Sequence, residues 1–240
     1  MGRAKNIFVF TLMIIGLQST VAAAGEVSVG LIGGFVNTDL KDLDSLIVSA
    51  NGGGTGPITT KALGNGLEAA LVLGYRWDGT VWAVHFQPSY YFNSTSGTDT
   101  AGDAFDYGVT AIVAMPLLRV YALENDFLSL YFQFGVGWAQ VYGEANEGAD
   151  QTEFSGSNLG YQGGLGLEMC YAKMHCLNLE GNLRSLDIER SIVDKTTSSG
   201  THANGRITQS NRGSEIEVDN RDLGMDLTGF QFLAGYVFKF

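Results

Sequence analysis

Past its first two dozen residues the chain has no apolar run of about 20 residues, the length a helix needs to cross hydrocarbon. Mean hydropathy is +0.08, too polar for a bundle of transmembrane helices. Basic residues are scarce: Lys+Arg number 14 against 25 Asp+Glu, a net charge of -11. Nucleic acid is held by a basic stripe, so this balance excludes it as a partner. Proline is scarce too, with three in 240 residues, against 33 Gly, 14 Phe and 10 Tyr. Such a composition suits strands, and a single all-β domain is the natural count at this length.

The N-terminus reads as a secretory signal. Arg3 and Lys5 supply positive charge, residues 7–17 form an apolar core too short to span, and Ala22, Ala23 and Ala24 offer a small-residue cleavage site. Residues 1–24 are therefore expected to be removed, leaving 25–240 as one domain. No cysteine stands directly after the expected cleavage site, so a lipid-anchored form is not expected. With no spanning helix left, the membrane-crossing option for an exported chain is a closed barrel.

The rest of the chain alternates with a period of two. The last dozen residues, GFQFLAGYVFKF, put Phe230, Phe232, Ala234, Tyr236, Phe238 and Phe240 on one face. Similar runs occupy 26–35, 67–77, 82–92, 105–114, 128–138, 159–170 and 177–184, which makes eight. Pro88 cannot donate to a ladder, so a bulge or local break is expected there. Asp78-Gly79 is a strong hairpin signal. The alternation blurs around Pro116. Between the runs, long polar connections (37–65, 93–104, 143–157 and 187–222) alternate with short ones, and Leu40, Leu43, Leu46 and Ile47 suit a short helix. A soluble sandwich has no reason to sort its connections by length onto one end. Strands of about 9–11 tilted residues with aromatics near their ends are what a bilayer demands.

The final strand resembles the C-terminal assembly signal of Gram-negative outer-membrane barrels. The whole mature chain resembles the OmpA/OmpX-like eight-stranded family, including its glycine–aromatic strands at 128–139 and 163–168. The resemblance implies an antiparallel up-and-down transmembrane β-barrel, located in the outer membrane, with long loops outside and both termini in the periplasm. It implies contact with outer-membrane lipid and lipopolysaccharide. It also implies recognition of Phe232, Tyr236, Phe238 and Phe240 by the assembly machinery, and a monomer. The likeness to OmpA itself would stop at its membrane part, since no peptidoglycan-binding domain follows.

An eight-stranded barrel is just wide enough for side chains to fill. By parity, Glu26, Glu68, Arg76, His85, Asp106, Gln162, Glu168, Glu180, Arg184 and Lys239 point inward, with Gln87, Gln133, Asn178, Asn182 and Gln231. Buried charges of both signs are expected to pair. The result is a plugged polar core or, as the alternative, an OmpW-like narrow path for small solutes. A lipid A-modifying enzyme is disfavoured. His85 and Ser89 share a face but lie about 13 Å apart along one strand, too far for a dyad. His175 and His202 read as turn or loop histidines. Cys170 and Cys176 flank a short connection and leave three options open: a disulfide, a metal site with His175, or free thiols. Asp39, Asp42 and Asp44 match no metal-loop spacing, and neither metal nor cofactor is expected. Function would then rest on the four long connections, displayed to an extracellular ligand the sequence does not name.

Overall fold

The computed structural model describes residues 25–38, 40–45, 63–98, 104–172, 174–198 and 207–240. The expected signal segment 1–24, Asp39, Leu46, Ile47 and His202 lie outside the described residues. Eight long strands form the body: β1 (Gly25–Thr38), β2 (Gly66–Trp77), β3 (Trp82–Thr98), β4 (Ala104–Glu124), β5 (Leu128–Glu147), β6 (Asp150–Ala172), β7 (His175–Ser185) and β8 (Gly229–Lys239). Each pairs antiparallel with its neighbours in sequence, and β8 pairs with β1 from Ser28↔Lys239 to Thr38↔Gly229. The ring is therefore closed, and no long strand keeps an unpaired flank along the shared height.

The faces follow the alternation. On β8 the inward residues Gln231, Leu233, Val237 and Lys239 are buried, while Phe230, Phe232, Tyr236 and Phe240 are 46, 39, 43 and 67% exposed. On β5, Phe132, Phe134, Val136 and Trp138 face out in the same way. A continuous girdle of this kind is incompatible with water and fits hydrocarbon. Among the described residues no helix is long and apolar enough to cross a membrane, so the crossing elements are these strands. Asp78 and Gly79 form the expected turn, with Gly79 at φ 66°.

Pro88 interrupts the ladder without bulging it. The β2–β3 register is the same on either side, at Ala70↔Ser89 and Leu73↔Phe86, and the pairing lapses only between them.

Two expectations need correction. The first concerns the connections. Residues 93–98 and 104–109 continue β3 and β4 as a paired ladder, from Asn93↔Val109 to Thr98↔Ala104. Residues 143–157 are not a loop: β5 and β6 pair without interruption up to Glu147↔Asp150, around a turn at Gly148 and Ala149. Strands β3 to β6 accordingly run 17, 21, 20 and 23 residues, against 14, 12, 11 and 11 for β1, β2, β7 and β8. One side of the wall stands higher by roughly 20 Å, at ~3.3 Å per tilted residue.

The second concerns β4. Its odd positions Phe105, Tyr107, Val109, Ala111, Val113, Met115 and Leu117 are buried inside, and Asp106 is exposed on the outer face. The cause is a second, apolar core that fills the end of the barrel away from the chain termini. The tall wall supplies one half of it. The other half comes from Leu40 and Leu43 beside the helical turn at 41–45, and from the last connection: Leu186, Ile188, Val193, Ile207, Ile216, Val218, Leu223, Met225 and Leu227. That connection is largely structured. Ile192–Thr196 adds to the free edge of β6, and Asp187–Ile188 pairs with Met225–Asp226. The interior therefore changes from polar at the terminal end to apolar at the other.

Candidate functional site

The polar half of the interior is centred on Arg119 of β4, which is fully buried. Its Nη2 donates to Glu180 Oε1 at 2.5 Å, its Nε to Gln133 Oε1 at 2.8 Å, and its Nη1 to Glu168 Oε1 at 3.4 Å. Its guanidinium lies 4.3 Å above the Tyr131 ring. Glu180 also accepts from Tyr131 (2.9 Å), Asn178 (2.8 Å), Gln133 (3.0 Å) and Gln87 (3.3 Å). Glu168 is paired a second time by Lys239 Nζ at 2.7 Å, and Lys239 reaches on to Glu26 at 3.2 Å at the terminal rim. Beside that rim Arg76 forms a two-pronged pair with Glu124, at 2.6 and 2.7 Å, and lies over Tyr121.

A second centre sits higher. Arg184 Nη1 donates to Glu68 Oε2 at 2.8 Å and its Nε to the Leu227 carbonyl at 3.3 Å, which ties β7 to the segment leading into β8. Glu68 also accepts from Ser89 Oγ at 2.6 Å. Gln162, directly opposite Arg184, and Gln231 are buried too, and Gln231 accepts from Asn182 at 3.0 Å. Glycine makes the room: a Cβ at Gly166 would fall 2.1 Å from the Tyr131 ring, and one at Gly74 would strike Ser28 and His85.

Of the fifteen residues expected inside, fourteen thus lie in or at the mouth of the lumen; Asp106 does not. Sequence reading missed Arg119, Tyr121 and Tyr131, of which Arg119 makes the most contacts. The signal was present, because Arg119 and Tyr121 continue the odd-numbered face of β4 beyond Pro116.

His85 and Ser89 do not form a catalytic pair. The Ser89 hydroxyl is committed to Glu68, and the register sets His85 against Gly74 and Ser89 against Ala70. Cys170 and Cys176 face each other across β6 and β7 and are joined by a disulfide, so their thiolates are not available to a metal. His175 is not in a turn but on β7, exposed, with Nδ1 bonded to the Tyr236 hydroxyl and its ring against Phe238. Among the described residues no cluster of His, Cys, Asp and Glu suits a metal ion.

In the structured connection Asp187 stands directly across from Asp226. Partial burial, then the charges of Asp226, Glu189 and Asp42, raise its pKa. A carboxyl raised in the folded state contributes stability below its ordinary value near 3.9 and loses it as pH rises through the folded value. Asp187→Asn should therefore raise the urea midpoint at pH 7 and leave it unchanged at pH 3, in paired unfolding curves.

A closed ring of eight antiparallel strands, an outward apolar girdle and a lumen filled by paired charges together define a small transmembrane β-barrel of the outer-membrane type. Its fold is similar to that of the outer membrane protein OprG from Pseudomonas aeruginosa, at a TM-score of 0.53 and 11% identity, covering 91% of this chain and 96% of that one. It is also similar to a major outer membrane protein from Thermus thermophilus, at a TM-score of 0.50 and 11% identity, covering 90% and 100%. At such identities the likeness is one of fold. No family model and no curated protein sequence matches the chain.

Proposed function

We propose that this protein is an outer-membrane barrel that works by what it holds at the cell surface rather than by what it conducts. The observation that carries this reading is the filled lumen. Arg119, Arg184 and Lys239 are each paired with buried carboxylates, and the apolar core closes the opposite end. An ion entering from the terminal rim would have to break buried pairs, each costing several kcal/mol, and then cross a dry core. In this reading the termini and short turns lie in the periplasm. The tall wall and the structured part of the last connection form an extracellular head. The single chain meets lipid and lipopolysaccharide around its girdle, and Phe232, Tyr236, Phe238 and Phe240 are presented to the assembly machinery. The role is structural or adhesive, toward an extracellular ligand, and no enzymatic step is assigned.

Planar-bilayer recording of the purified barrel tests this. Folded protein, identified by a gel mobility shift on boiling, should leave the bilayer silent. A stable unitary conductance from that same preparation would instead establish the narrow-channel alternative.

A further inference from the structure

On the outer face of the tall wall the register sets residues in horizontal rows. Phe92, Thr110 and Tyr142 form one row; Ser94, Gly108, Glu144 and Glu153 form the next, farther from the termini. The first row ends the apolar girdle, with Phe92 and Tyr142 each 45% exposed. The second row is polar. The boundary between them marks the level where hydrocarbon gives way to headgroups.

A cleft of about 230 Å³ lies over this boundary, reaching from Phe92 across Gly108 to Asp194. Gly108 deepens it by lacking a side chain. The Glu153 carboxylate is taken by Lys195 at 2.6 Å. Among the described residues nothing pairs with the carboxylates of Glu144 and Asp194, both of which are exposed.

We propose that this cleft seats the sugar headgroup of a glycolipid in the surrounding leaflet, a reading that rests on the wall standing outside an outer membrane. The site is continuous with the lipid-facing girdle, so its occupant is anchored in the same leaflet. Its acyl chains lie along Phe92 and the girdle below. Two unpaired carboxylates repel a phosphate and accept hydrogen bonds from hydroxyls. The Tyr142 ring offers a flat face to the C–H side of a pyranose, and Thr110 a hydroxyl. A neutral, hydroxyl-rich ring on a lipid meets all of these conditions at once.

The test is native mass spectrometry of the barrel extracted from vesicles in which glucosyl-diacylglycerol competes with phosphatidylglycerol and phosphatidylethanolamine, with free glucose as a separate arm. The glucolipid should be retained preferentially. Glu144→Gln should lower its retention about tenfold, as expected for the loss of one charge-assisted hydrogen bond, and Gly108→Val should lower it by filling the cleft. The first atom added at Gly108, a Cβ, meets the movable Glu144 side chain, Oε1 at 2.9 Å and Cγ at 3.1 Å, and no backbone atom nearer than these. Equal retention by wild type and Glu144→Gln, a preference for either phospholipid, or binding of free glucose would each overturn the proposal. Absence of the boiling shift in the wild type would instead count against the barrel reading beneath it.

Discussion

Replacing Arg119 by methionine should destabilise the barrel by about 3–5 kcal/mol, read as a fall in the urea midpoint of the boiling-sensitive band. The side chain is 0% exposed, and its loss strands Glu180 and half of the pairing of Glu168 in the lumen. The cost lies in the abandoned carboxylate more than in the lost attraction. The double variant Arg119→Met with Glu180→Gln should therefore recover much of the loss, since no unpaired charge stays buried and the amide oxygen can still accept from the donors around it. Glu168 keeps Lys239 at 2.7 Å throughout. If the double variant were as unstable as the sum of the single changes, the pair would not be the organising contact of the lumen.

The second large effect is on the outer face. Leu165, 53% exposed and directly opposite Phe132, sits in the girdle. Leu165→Arg should cost about 2–4 kcal/mol in a bilayer, the depth-dependent penalty for a cation at mid-membrane. Gln151 also faces out, but higher on the same strand, opposite Asn146 in the polar extension of the wall. Gln151→Arg should change stability by under ~0.5 kcal/mol, as at any exposed polar site. The contrast between two outward positions on β6 locates the membrane edge. Similar costs at both would mean that the tall wall is also immersed.

How much of this was legible depended on contrast between faces. On β8 one face is nearly all aromatic and the other carries Gln231 and Lys239, so both the period and its direction could be read. On β4 the period was equally clear, but both faces are apolar: Val109, Ala111 and Val113 on one, Ile112, Ala114 and Leu118 on the other. Periodicity tells which residues share a face, and only a polar partner face tells which one is inside. There the lumen is dry because the last connection folds into it, and nothing local to β4 announces a contact with Leu223 or Met225. Arg119 was lost for a related reason, since the alternation blurs around Pro116 although the strand runs on to Glu124.

The extended hairpin at 143–157 escaped for the opposite reason. Above the lipid its outward face turns polar, with Glu144, Asn146, Gln151 and Glu153, while the inward side includes Gly143, Ala145 and Thr152. Once hydrocarbon no longer enforces the alternation, a strand reads like a loop. The polar lumen residues lie where a polar interior meets a greasy exterior, the one setting in which a period of two points unambiguously inward or outward.

Closure of the ring is best tested by joining its ends. Gly33 of β1 lies directly opposite Ala234 of β8. The double variant Gly33→Cys with Ala234→Cys, oxidised in the folded state, should form an intramolecular disulfide identified by peptide mapping, while Gly33→Cys with Phe230→Cys should not. Failure of the matched pair to cross-link in boiling-sensitive protein, or equal cross-linking of the mismatched pair, would mean that the first and last strands are not neighbours, and the barrel would be contradicted.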